Sequence, residues 1–138
     1  MLIAAMVLGL IGGITYFVGG CAGTISWEEG TAPWWVISLI PIGAVGAMGA
    51  AMARTKPMTA GAVMLLAAAG AMGVGFASLP DFINRLDTAG EVPSNYLTVL
   101  VPAHALTGNL LVVPFSLLTL IIGGMLAIST GKKTAAED

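Results

Sequence analysis

Four long stretches of this chain hold no charged residue and no histidine, and nothing else in the sequence limits its fold so strongly. A helix crosses the hydrocarbon layer of a bilayer in about 20 mostly apolar residues. The qualifying runs are 2–22, 34–53, 58–79 and 109–129. In lipid, only helices and closed barrels satisfy their own backbone hydrogen bonds. Barrel strands alternate apolar and polar positions, whereas these runs are continuous. The sequence therefore predicts an all-α integral membrane protein. Its expected form is one domain, residues 1–138, built as an antiparallel bundle of four transmembrane helices.

Composition points the same way. The chain has 138 residues, 57% apolar and 9% charged, where soluble domains carry about 25% charged residues. So few charges cannot coat a water-facing surface, and the expected surroundings are lipid and other protein. The formal net charge of −2 and the lack of a basic tract argue against nucleic acid as a partner. One cysteine and one histidine leave no internal disulfide and remove most metal and catalytic constellations.

The connections carry the polar residues. GTISWEEGTAP (23–33) reads as a polar loop and ARTKP (53–57) as a tight basic turn. Residues 80–108 form the one long outer connection, and the polar tail 130–138 is expected to fray. Arg54, Lys56, Lys132 and Lys133 fall on one side of the expected bundle. Arg85 falls on the other, with Glu28, Glu29, Asp81, Asp87 and Glu91. Basic loops stay in the cytoplasm, so both termini are expected inside, in a bacterial inner membrane. Trp27, Trp34, Trp35 and Tyr96 are expected to anchor the outer interface, where amphipathic rings prefer to sit.

The opening, MLIAAMVLGLIGGITYFVGGCAG, has a second reading. Val18-Gly19-Gly20-Cys21 resembles the bacterial lipoprotein box, in which a leader is cut before a lipid-modified cysteine. A secretory leader needs a positive n-region and an apolar core of about 7–15 residues. Here the first basic residue is Arg54, and the apolar run is as long as a full span. The expectation is a retained first helix with Cys21 as a free thiol at its outer end.

Lipid gives helices no hydrophobic reason to associate, so close backbone approach must hold them, and small residues permit it. Each run has such a stripe. The candidate packing residues are Gly9 and Gly13 in the first, Gly43 and Ala47 in the second, Gly73 and Ala77 in the third, and Gly123 and Ala127 in the fourth. The third run carries a further stripe at Ala67, Ala71 and Gly75. These stripes serve either the chain's own bundle or partner subunits. Pro41 and Pro114, inside the second and fourth runs, predict kinks.

In the outer connection, SLPDFINRLDTAG has a helical apolar spacing at Phe82, Ile83 and Leu86 and a stop at Gly90. It predicts a short helix on the outer surface, starting at Ser78. Residues 97–108 read as a shallow dip into the membrane, as an amphipathic segment, or as an early start of the fourth span broken near Pro102.

Candidate chemistry is sparse. His104 is a candidate axial ligand for haem iron or chlorophyll magnesium, against the ordinary reading of a hydrogen-bonded loop histidine. Met48, Met52, Met64 and Met72 offer soft thioethers for copper(I), against their common use as gap-filling or lipid-facing residues. Asn109, Ser116 and Thr119 form a polar set that most simply bonds to neighbouring helices. No nucleophile, base and orienting group occur together, so catalysis is not expected.

The layout resembles small bacterial four-helix membrane proteins. Its tryptophan-bearing first outer loop also gives it the outline of claudin-like tetraspans. The claudin signature, a Trp and Gly-Leu-Trp followed by two cysteines, does not occur in ISWEEGTAPWW, and nothing is carried over from it. The leading expectation is a non-catalytic accessory or structural subunit packed against larger membrane partners, in a respiratory or photosynthetic complex. The alternatives are a small homo-oligomeric channel or transporter, with Pro41 and Pro114 marking the path, and a haem- or chlorophyll-binding subunit using His104.

Overall fold

The computed structural model describes residues 1–25, 34–78, 80 and 115–137. These form α1 (Leu2–Ile25), α2 (Trp34–Met52), α3 (Pro57–Ala77) and α4 (Phe115–Glu137). The first three are each long and apolar enough to cross a membrane. The apolar part of α4 is shorter, because from Gly131 onward the helix is polar.

Local chemistry sets the helix boundaries. Lys56 stands at the N-cap of α3, and Pro57 follows at the first helical position, where its missing N–H costs nothing. The preceding turn closes α2 through Thr55 N–H and Lys56 N–H, both donating to the Met52 carbonyl at 3.1 and 2.9 Å. At the far end of α3, Ser78 folds back on the helix. Its backbone N–H donates to the Val74 carbonyl at 3.0 Å, and its hydroxyl donates to the Gly75 carbonyl at 3.1 Å.

The helices form a ring in chain order. Helix α1 packs between α2 and α4, α3 packs between the same two on the opposite side, and α2 and α4 barely touch across the middle. Each neighbouring pair is antiparallel. Along α1, Gly9, Gly13 and Gly20 face Ala50, Ala47 and Ile40 of α2 in turn. Gly12 faces Ser116 and Leu120 of α4, and further back along α1 Ala5 and Gly9 face Gly123. Gly61 of α3 faces Gly124 and Ile128 of α4.

Large side chains are few in the interior. Trp35, Tyr16, Leu39, Met64 and Leu120 are its largest, set among Ala5, Ala50, Ala60, Ala67, Ala68, Ala71 and Ala127. Many bulky apolar residues point outward instead, among them Ile3, Phe17, Val18, Leu66 and Met125. Helices apolar on all sides are what a lipid surrounding requires.

Two boundaries differ from the sequence reading. Helix α1 continues three residues past Ala22, to Ile25. Helix α4 continues through the tail, expected to fray, as far as Glu137. Extending an existing helix is far easier than nucleating one, and Lys, Ala and Glu are good helix formers. The start of the fourth run at 109–114, the surface helix and residues 97–108 lie outside the described residues.

Candidate functional site

The features that set this molecule apart are its seams, and glycine builds them. The closest is α1 on α2. A Cβ added at Gly13 would fall on the Ala47 amide nitrogen, and 2.9 Å from both Ala47 Cα and the Gly43 carbonyl oxygen. A Cβ at Gly43 would fall on the Phe17 amide nitrogen, and 2.6 Å from the Gly13 carbonyl oxygen. These obstacles are backbone atoms, which cannot swing aside as a side chain can. Two helices approach this closely only where neither has a side chain at the crossing.

The α1–α4 and α3–α4 seams follow the same rule. A Cβ at Gly123 would stand 3.0 Å from the Ala5 carbonyl oxygen and the Gly9 amide nitrogen. Gly61 and Gly124 face each other across α3 and α4. Of the expected packing residues, Gly9, Gly13, Gly43, Gly123 and Ala127 are buried, and Ala47 is half-buried against Gly13.

Gly73 and Ala77 are placed otherwise. Both are exposed, and a Cβ at Gly73 would meet no atom within 4 Å. The packed stripe of α3 is Ala60, Gly61, Met64, Ala67, Ala68, Ala71 and Gly75. Its outward face carries Ala69, Gly70, Gly73 and Ala77, with Leu66 and Phe76 beside them. Both faces are smooth, so spacing alone gave no basis for choosing between them.

A polar cluster lies between α1 and α4. Tyr16 is 1% exposed and turns its hydroxyl toward Ser116 on α4. Ser116 is buried too, and its Oγ meets no partner in full hydrogen-bond geometry. Thr119, one turn on, donates to the Ser116 carbonyl at 2.9 Å. Gly12 makes room for all of them, since a Cβ there would lie 2.6 Å from the Ser116 carbonyl oxygen and 2.7 Å from Thr119 Oγ1. Ser116 and Thr119 were expected to bond between helices. Thr119 instead bonds within its own helix, as Ser and Thr commonly do in membrane helices. Tyr16 was missed by the sequence reading. The available signal was a tyrosine well inside an apolar run, where a buried hydroxyl needs a partner.

The remaining candidates divide clearly. Trp35, expected at an interface, is fully buried in the core, while Trp34 is 49% exposed. Successive residues of a helix point about 100° apart, so one tryptophan can turn into the core while its neighbour faces outward. Pro41 lies inside α2 and is exposed on the outside of the ring. Met64 is fully buried between Gly9 and Gly49, while Met48 and Met72 point outward, so the methionines do not converge. Arg54, Lys56, Lys132 and Lys133 are all exposed. Cys21 is partly buried near the end of α1 and unbridged. His104, Trp27, Tyr96, Asn109 and Pro114 lie outside the described residues. Compared with protein-family models, curated proteins and solved structures, the chain matches none.

Proposed function

We propose that this protein is an integral membrane subunit with a structural role, a rigid helical unit that packs against larger membrane partners. A respiratory or photosynthetic assembly in a bacterial inner membrane is the setting proposed for it. The four helices are read as four spans, with both termini in the cytoplasm. The position of the basic residues supports that orientation, because Gly131 of α4 lies against Pro57 and Met58 of α3 and so sets Lys132 and Lys133 beside Lys56.

The observation that carries the reading is the leftover smooth face of α3. On α1 and α4 the named small-residue stripes are used within the ring, and on α2 Gly43 and Ala47 are used against α1. The stripe Ala69, Gly73, Ala77 faces outward with room for another helix backbone. In lipid such a face favours a protein neighbour of complementary shape, because close packing supplies the association energy.

Gentle detergent extraction from native membranes, with mass spectrometry of co-migrating chains, tests this. The wild-type chain should migrate with one or more larger membrane proteins. Gly73→Leu should lose that company while leaving the isolated chain folded. A chain that always runs alone, or a Gly73→Leu variant that keeps every partner, removes the support for this reading.

A further inference from the structure

One end of the ring gathers positive charge from two separate elements. Arg54 and Lys56 lie in the turn between α2 and α3. Lys132 and Lys133 lie on α4 beyond its apolar part, held there because that helix runs on to Glu137. Gly131 brings the two elements together. A Cβ there would stand 2.8 Å from Met58 Cγ and 3.1 Å from Met58 N and Pro57 Cγ, so α4 rests directly on the first turn of α3. Lys56 precedes Pro57 and Lys132 follows Gly131, which places the two lysine backbones side by side.

All four basic side chains are exposed, and the layer beneath them is apolar, with Ala53, Ala60 and Ala127 fully buried. Among the described residues, Glu137 is the one acidic residue against these four basic ones. The helices below are long enough to cross a membrane, which sets these cations at the depth of the headgroups. Long basic side chains keep their stems against apolar surface and extend their charge to that depth.

We propose that this end is a docking surface for the headgroup phosphate of an anionic membrane lipid, held jointly by the α2–α3 turn and the end of α4. The occupant is a lipid rather than a free anion, because the cations rim an apolar body against which acyl chains can lie. The turn contributes Arg54 and Lys56, and α4 contributes Lys132 and Lys133. The attraction falls off within a Debye length and weakens with salt.

The test uses the full chain reconstituted in nanodiscs of mixed phosphatidylglycerol and phosphatidylcholine, with retained lipid measured after extraction into a neutral detergent. Wild type should retain phosphatidylglycerol preferentially. Lys56→Gln and Lys132→Gln should each reduce that preference about fivefold. Because the two lysines serve one phosphate, the double variant should lose clearly less than the product of the single losses. Lys56→Arg and Lys132→Arg should keep the preference, and all variants should elute and unfold like wild type. No preference in wild type overturns the proposal, and so do losses that multiply in full, which report diffuse surface charge alone. Displacement of phosphatidylglycerol by millimolar inorganic phosphate assigns the surface to a free anion and also overturns it.

Discussion

The α1–α2 seam and the outward face of α3 are made of the same residue types, yet they behave as opposites. At the seam, Gly13 and Gly43 lie so close to the opposing backbone that neither helix tolerates a methyl group. On α3, Gly73 looks into open space, and Gly70 has only Ile42 side-chain atoms, at 3.7 and 3.9 Å. Glycine inside a helix costs about 0.5–1 kcal/mol relative to alanine. At the seam, backbone-to-backbone packing offsets that cost. On α3 nothing among the described residues does. The partner proposed for this face would supply the packing that offsets it.

The comparison can be broken at several points. The largest effect is expected from Gly43→Val. Its Cβ meets the Phe17 backbone, and the variant should lose about 3 kcal/mol, read as loss of the folded chain on thermal unfolding in detergent. An unchanged midpoint would show that the seam is looser than drawn. Leu120→Ala comes next. Leu120 is fully buried and fills the space beside Gly12 and Gly46. Its truncation should cost about 2 kcal/mol, the low end of core truncations in water, because lipid removes much of the transfer contribution.

A smaller effect is expected from Tyr16→Phe. The hydroxyl it removes has only the loose contact with Ser116. Polar contacts between membrane helices average about 0.6 kcal/mol, and the loss should not exceed that. Gly73→Ala should have the smallest effect and the opposite sign. The added methyl meets nothing within 4 Å, so the unfolding midpoint should rise by the equivalent of about 0.5 kcal/mol, the low end of the helix-propensity difference. Destabilisation by this substitution would mean that the face is already occupied within the chain.

Much of the architecture could be read from the sequence because the constraint is severe. Three of the four apolar runs return as helices of membrane-spanning length, at 2–22, 34–52 and 57–77. The rotation of each helix was harder to read. Water does not select an apolar face when every face is apolar, so α3 offered two equivalent small-residue stripes and only packing chose Ala67, Ala71 and Gly75. The burial of Trp35 was hard to read for a related reason. Interface preference applies to both tryptophans equally, and the helix phase alone sends one of them inward. The basic pair on α4 was legible as charge but not as geometry. Its placement beside Lys56 depends on Gly131, whose contact lies more than 70 residues away in the chain, at Pro57 and Met58.

The tight junction of the first two helices has a consequence for biogenesis. It is the most extensive of the helix pairings, and every residue in it lies in the N-terminal half of the chain. Contacts between neighbouring elements form quickly, since little chain must be closed to make them. During synthesis the first hairpin therefore lacks nothing it needs to zip together while the second is still on the ribosome. Later helices can then assemble on this hairpin, and a bulky residue at its crossing point should act earliest, by blocking the pairing of the first two helices before the rest has appeared.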